Sequence, residues 1–157
     1  PSGVPILLSS MLFGPSAAIS VTLIKDLIHV LSTTTGGVGE LADFLIMSTF
    51  SIVVGVIYHK RSDRKGVLLA TIAGTVTCAV VGGLANYYLL IPFFSKIMPL
   101  DAIFAACAEI NPAIDGLSAY ILFGAVPFNL IKGLLLTVFT FLLYKKMEAF
   151  LKTYIRP

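Results

Sequence analysis

Residues 126–144 read VPFNLIKGLLLTVFTFLLY, an apolar run long enough to cross a membrane and interrupted near its start by a lysine. A helix needs about 20 mainly apolar residues to cross the hydrocarbon core. Lys132 lies inside this run, where an unpaired cation costs a few kcal/mol. Asn129 lies three residues earlier, so both side chains share one face of the helix. The stretch therefore predicts a transmembrane helix that carries a polar recognition point.

The composition of the whole chain agrees with a location in the membrane. Apolar residues make up 57% of the 157 residues, charged residues make up 12%, and the mean hydropathy is +0.97. Only helices and closed barrels satisfy their backbone groups in lipid, and the chain shows no alternating pattern typical of barrel strands. We therefore predict an all-α integral membrane protein in contact with membrane lipid. Its positive charge sets the topology and gives no case for nucleic-acid binding.

Prolines and polar residues divide a single predicted transmembrane domain, residues 1–157, into spans. Because proline begins a helix more easily than it continues one, Pro127 is predicted to begin the last span. The intervening stretch 93–125 is predicted to be extracellular and to hold short helices. The five predicted spans cover residues 4–13, 16–31, 39–58, 66–90 and 127–145.

Basic residues predict the orientation of these spans. The loop from Lys60 to Lys65 carries four of them, and the carboxyl-terminal tail carries Lys145, Lys146, Lys152 and Arg156. Both segments are expected in the cytoplasm, since lysine and arginine collect on that side. The amino-terminal end is then expected outside. A further helix before Pro1 would give six spans in the cell membrane, with both ends of the full-length protein cytoplasmic.

Three polar clusters fall in the half of the membrane predicted to face outside. Glu40 and Asp43 open one helix, Asn86 precedes two tyrosines at the end of the next, and Asn129 and Lys132 open the last. Such a ring predicts a ligand pocket open to the outside. Lys132 must meet a ligand oxygen, a helix carbonyl or a carboxylate such as Glu40 or Asp43. The clusters equally allow a structural interpretation in which these side chains only tie helices together.

Motifs for enzymatic chemistry are not found in the sequence. It contains no Cys-x-x-Cys, no His-Glu-x-x-His and no phosphate-binding Gly-x-x-x-x-Gly-Lys. His29 and His59 lie near opposite helix ends, so no metal site is expected. We predict a non-enzyme without a cofactor, which would need ATPase partners to concentrate a ligand.

Several motifs occur in a specific order: VPILL (4–8) before LFGP (12–15), LIKDL (23–27), GELADFL (39–45), NYY (86–88) before IPF (91–93), and PFNLIKG (127–133). Together they resemble the riboflavin-binding S components, of the RibU type, of energy-coupling factor (ECF) vitamin transporters. The resemblance runs from about Val4 to Tyr144. It implies a six-helix S-component bundle of which this chain covers the last five spans, the first helix being missing.

The resemblance also implies a function and a set of contacts. Such a subunit captures riboflavin from outside and works with an ECF coupling transmembrane subunit and two ATPase subunits. Flavin polar groups would be held by Asn129, Lys132 and Asn86. Residues around Val4 and Leu7 would cover the ring system.

Other side chains complete the predicted site. Phe44 and Tyr87 would pack against the flavin ring, and Glu40 and Asp43 would belong to the polar ring around it. Three alternatives stay open. The chain could be an S component for FMN or another vitamin, a scaffold subunit without a ligand, or a membrane-embedded enzyme acting on a lipid or isoprenoid, with Glu40 and Asp43 as acid-base groups.

Overall fold

The computed structural model describes residues 2–33, 36–97 and 99–154, with side chains described as far as residue 146. These residues are almost entirely helical and include no strand. The all-α prediction is therefore confirmed. Pro1 and Arg156, which entered the sequence predictions, lie outside the described residues, as does the side chain of Lys152. The helices are α1 Gly3–Phe13, α2 Pro15–Val30, α3 Val38–Lys60, α4 Arg64–Ala85, α5 Ile91–Phe94, α6 Leu100–Ile110, α7 Leu117–Tyr120 and α8 Val126–Tyr154.

Two π-helical turns join shorter helices into longer ones. Asn86–Leu90 joins α4 to α5, and Ile121–Ala125 joins α7 to α8. In each turn the hydrogen bond reaches five residues back, from the Ile91 amide to the Asn86 carbonyl and from the Val126 amide to the Ile121 carbonyl. Among the described residues, three stretches are long and apolar enough to cross a membrane: Val38–Lys60 and the two stretches that contain the π turns, Arg64–Phe94 and Leu117–Lys146.

Pro127 does not begin a helix, because the helical stretch that contains it begins at Leu117. A proline ring normally clashes with the carbonyl four residues earlier. For Pro127 that residue is Phe123, which lies inside a π turn, where the altered hydrogen bonding relieves the clash. Pro92 follows the other π turn in the same way, so that helix continues to Phe94 rather than stopping near Leu90. Residues 93–125 are accordingly less separate from the spans than predicted.

The bundle is built around α3. This helix packs against α2 on one side and α4 on the other, α8 packs against α4, and α1 contacts α2, α3 and α8. Small residues allow the close approach, as is common in membrane helices. A Cβ at Gly74 would overlap the ring of Phe50, and a Cβ at Gly133 would lie 2.8 Å from the Thr75 side chain. Glycine at these positions sets the spacing of α3, α4 and α8.

The short helix α1 covers only part of the bundle's length. A Cβ at Gly3 would lie 2.8 Å from Leu136 and 3.1 Å from Met47, both well inside α8 and α3. At the other end, a Cβ at Gly14 would lie 3.9 Å from His59, close to the end of α3. Helix α1 therefore runs from the middle of the bundle to the end where His59 lies, and its short length is shielded by protein.

Hydroxyl groups tie the helices together in the half of the bundle that includes α1. Ser10 donates to the Ser51 carbonyl at 2.6 Å, and the hydroxyls of Thr75 and Thr137 are 3.1 Å apart. The hydroxyls of Tyr58 and Tyr144 lie 3.0 Å apart. We call this part, with its fully buried residues Phe50, Leu7 and Met47, the hydroxyl-tied half.

The connection between α3 and α4 lies beyond this half. Asp63 caps α4 by accepting a hydrogen bond of 2.7 Å from the Gly66 amide, the usual way to satisfy the first amides of a helix. This amide holds the pKa of the Asp63 carboxyl below its ordinary value. The loop is basic and exposed, as the topology prediction requires of a segment in water.

Candidate functional site

Two cavities meet at one ion pair, and the smaller of them lies in the other half of the bundle. The smaller, of about 400 Å³, lies between α3, the π turn after α4, and the helical stretch that runs from α7 into α8. We call it the amide cavity, because Asn86 and Asn129 line it. The larger, of about 900 Å³, lies between α1, α3 and α8 and is lined mainly by apolar side chains. We call it the apolar cavity. Asp43, Phe128 and Lys132 line both.

Asn86 is placed by the first π turn. Its amide nitrogen donates to the Gly82 carbonyl at 2.8 Å, and its oxygen accepts from the Tyr120 hydroxyl at 3.2 Å. Only 9% of this residue is exposed. The π turn matters here, because it shifts Asn86 and Leu90 relative to a regular helix, and both line the amide cavity. Such turns occur often at functional sites.

Asn129 faces the same turn of α4 from α8. It is 3% exposed, and its amide nitrogen donates to the Ala125 carbonyl at 2.9 Å. A Cβ at Gly82 would overlap this amide group. Gly82 therefore supports both asparagines, since its carbonyl binds Asn86 and its missing side chain leaves room for Asn129.

Lys132 reaches across to α3. Its Nζ donates to Asp43 Oδ1 at 2.6 Å, while Asp43 Oδ2 accepts from Lys25 of α2. Lys25 also lies 2.8 Å from Asp26 Oδ1. We call Lys25, Asp26, Asp43 and Lys132 the charge cluster. It links three helices and provides Lys132 with one of the carboxylate partners expected from the sequence.

Glu40 has a different partner. It is 6% exposed, and its Oε1 lies 2.9 Å from Nδ1 of His29 on α2. Glu40 lines neither of the two cavities, although it lies one turn before Asp43. Its described contact ties α2 to α3 beside the charge cluster.

The remaining predicted site residues are distributed differently. Val4 lines the apolar cavity, whereas Leu7 is fully buried in the core. Phe44 and Tyr87 line neither cavity, and Tyr87 is 46% exposed with its ring 4.9 Å from that of Tyr88. Their contacts with a ligand stay predictions.

Two aromatic residues of the site were not identified from the sequence. Phe128 lines both cavities, and Tyr120 lines the amide cavity and binds Asn86. Phe128 adjoins Asn129 within the most distinctive motif, which was a usable signal. Tyr120 lies 34 residues from Asn86, in a stretch that the sequence placed outside the spans.

The amide cavity has the properties of a small-molecule site. Its volume of about 400 Å³ falls within the range of about 300–1,000 Å³ typical of ligand pockets. Two carboxamides, a phenol and an ammonium offer donors and acceptors among apolar walls. Among the residues described, no three His, Cys, Asp or Glu side chains are grouped to hold a metal ion. The arrangement is suited to binding a polar, partly aromatic molecule.

Several known proteins are similar to this chain in sequence. A family model described as "ECF transporter, substrate-specific component" matches residues 1–144. The chain is 32% identical over 151 residues to the riboflavin transporter RibU of Staphylococcus aureus, covering 96% of this chain and 75% of that protein. It is 25% identical over 154 residues to the riboflavin transporter FmnP of Bacillus subtilis, covering 96% and 76%.

A solved structure resembles the fold closely. It is described as "Structure and mechanism of the S component of a bacterial ECF transporter", and it superposes with a TM-score of 0.74 at 29% sequence identity. The match covers 96% of this chain and 77% of that one. It includes both the hydroxyl-tied half and the helices that form the two cavities.

Proposed function

The chain belongs to the family of ECF transporter substrate-specific components, and from this premise we propose that it binds riboflavin in the amide cavity and delivers it for import. The fold and family expected from the sequence are confirmed. The chain is a multi-pass membrane protein and a transport component, not an enzyme.

One observation carries the assignment of the site. Asn86, Asn129 and Lys132 come from separate parts of the sequence, yet they line one cavity together with Tyr120 and Phe128. Riboflavin combines a flat aromatic ring, whose edge alternates carbonyl acceptors with an imide donor, with a chain of hydroxyls. Carboxamides can pair with both kinds of group, and the ammonium of Lys132 can donate to oxygen. The aromatic side chains can pack against the ring.

The relatives support this choice of ligand. Two transporters with riboflavin in their names align over 96% of the chain. The alignments include the amide-cavity residues of the first π turn and of α8. Riboflavin is therefore the first ligand to test.

Delivery requires partners, because the sequence shows no nucleotide-binding motif of its own. We propose an ECF coupling transmembrane subunit and two ATPase subunits as these partners, since the family name describes this chain as the substrate-specific part of a larger transporter. The basic loop from Lys60 to Lys65 is proposed to face the cytoplasm. The amide cavity, at the other end of α3 and α4, would then open to the outside.

A membrane-embedded enzyme is not favoured. Its acid-base groups would have been Glu40 and Asp43. Asp43 instead lies between two lysine ammonium groups, and Glu40 bonds His29. Both carboxylates thus serve contacts between helices, in agreement with a transport component.

The proposal is tested by replacing the amide-cavity side chains. We expect Asn129→Ala and Lys132→Ala each to weaken riboflavin binding by about 1–3 kcal/mol, because a ligand group loses its hydrogen-bond partner. Quenching of flavin fluorescence by the purified protein measures the affinity. Asn111→Ala and Lys65→Ala are matched controls, since neither residue lines the two cavities. Unchanged riboflavin affinity in both cavity variants would show that Asn129 and Lys132 have a purely structural role.

A further inference from the structure

We propose that the charge cluster makes the amide cavity select uncharged flavin over its phosphate ester, with Asp43 as the specificity-determining residue. This inference rests on the proposed riboflavin site and deepens it. It follows from how the charges of Lys25, Asp26, Asp43 and Lys132 are distributed around the cavity.

The charged residues that line the amide cavity are Asp43 and Lys132. They are joined directly, with 2.6 Å between Lys132 Nζ and Asp43 Oδ1. Lys132, the cation at the cavity wall that could bind a phosphate group, is therefore already paired with a carboxylate. Lys25 does not change this balance, because it lies between the carboxylates of Asp43 and Asp26. Two cations and two anions leave the cluster without net charge.

Nearby groups do not supply the missing positive charge. Glu40 lies one turn before Asp43 and is nearly buried, bonded to His29. This second carboxylate adds negative charge on the same face of α3. A ligand in the amide cavity thus meets at least as much negative as positive charge.

The neutral flavin and its phosphate ester differ in how they would interact with Lys132. An ammonium has three donors. One of them can keep the bond to Asp43 while another donates to a flavin oxygen, so a neutral ligand leaves the cluster intact. A phosphate ester carries a charge of about −1.5 to −2 near neutral pH. It would compete with Asp43 for Lys132 and would be repelled by the carboxylate beside it.

The size of the effect follows from Coulomb's law. One unit charge several ångströms from the phosphate, at the effective dielectric constant of a partly buried site, changes affinity on the order of tenfold. The useful quantity is the ratio of the dissociation constant for riboflavin 5′-phosphate to that for riboflavin. A substitution that only disturbs the structure weakens the binding of both ligands and leaves the ratio of their dissociation constants unchanged.

Fluorescence titrations with riboflavin and with riboflavin 5′-phosphate test the inference on the purified full chain. We expect Asp43→Asn to lower the ratio on the order of tenfold, because Lys132 loses its internal anion. We expect Lys25→Gln to raise the ratio, since the cluster then carries net negative charge. Asp63→Asn makes the same change of charge in the α3–α4 loop, outside both cavities, and should leave the ratio unaltered.

Because Asp43→Asn and Lys25→Gln are expected to change the ratio in opposite directions, either variant tests the inference if the other does not fold. A ratio that stays constant in Asp43→Asn or in Lys25→Gln, while riboflavin still binds, would overturn the role of the charge cluster and leave the riboflavin site standing. Equal affinity of the unaltered protein for both flavins would overturn it as well. No saturable binding of either flavin would overturn the proposed function together with this inference.

Discussion

The hydroxyl-tied half and the amide-cavity half of this bundle are held together by different means. In the first, apolar side chains and short hydroxyl contacts such as Ser10–Ser51 and Thr75–Thr137 join regular helices. In the second, two of the three helical stretches that line the amide cavity contain a π turn, and a four-residue charge cluster links α2, α3 and α8. Both π turns of the described residues contribute residues to the wall of the amide cavity.

This difference has a physical reason. A hydroxyl in lipid can donate a hydrogen bond to a carbonyl of its own helix, as Thr71 does to Val67, so its burial costs little. A carboxamide has further donor and acceptor sites that one such local bond does not satisfy, and charges are expensive in the membrane. Their concentration around one cavity indicates that they serve a ligand. Mutations should therefore separate stability from binding according to the half in which they lie.

The largest expected effect is on stability in the hydroxyl-tied half. Phe50 is fully buried against Gly74, and we expect Phe50→Ala to destabilise the protein by about 3–5 kcal/mol through lost burial and a cavity. Thermal unfolding in detergent measures this. Ile52 lies on the same helix and is 40% exposed, so Ile52→Ala is the control. The comparison between halves would fail if Phe50→Ala left stability intact but lowered the riboflavin affinity of the folded protein.

The next prediction makes one substitution in each half of the same helix. A Cβ at Gly82 would overlap the Asn129 amide, whereas a Cβ at Gly74 would overlap the Phe50 ring. Overpacking of this kind costs about 1–3 kcal/mol. We expect Gly82→Ala to weaken riboflavin binding by a similar amount, because it displaces a ligand contact, and Gly74→Ala to lower mainly the unfolding temperature.

Both quantities are measured on both variants, by flavin titration and by thermal unfolding. Each variant controls for the other, since the helix and the added methyl group are the same. Equal losses of affinity in Gly82→Ala and Gly74→Ala would show that the halves are not functionally distinct.

The smallest effect concerns two tyrosine hydroxyls. Tyr120 donates to Asn86 at the amide cavity, and Tyr58 bonds Tyr144 in the hydroxyl-tied half. Removing either hydrogen bond should cost about 0.5–1.5 kcal/mol. For Tyr120→Phe we expect the loss mainly in riboflavin affinity, because Asn86 is no longer oriented, and for Tyr58→Phe mainly in stability. Reversed assignments in the same two assays would argue against the division.

The sequence predicted the residues that are expensive in lipid. Asn86, Asn129 and Lys132 stood out because each interrupts an apolar run, and all three line the amide cavity. A carboxylate such as Asp43 was among the expected partners of Lys132, which the structure confirms. These inferences needed only the cost of burying polar groups and the three-residue spacing on a helix.

Other features depend on the packing of distant segments. Pro127 was interpreted as the start of a helix, because the π turn that accommodates it leaves no mark in the sequence. Tyr120 was missed, since its contact with Asn86 requires the stretch after α6 to fold back as part of the last span. The sharing of Asp43 between Lys25 and Lys132 requires three helices to approach. The close packing of α8 against α4, which positions Lys132, depends on small residues such as Gly133.

Titration of the purified protein with riboflavin is the most direct test of riboflavin binding in the amide cavity. We expect saturable quenching of flavin fluorescence with one ligand per chain and a dissociation constant on the order of micromolar or below. A linear fluorescence response, with no saturation across the micromolar range, would contradict it.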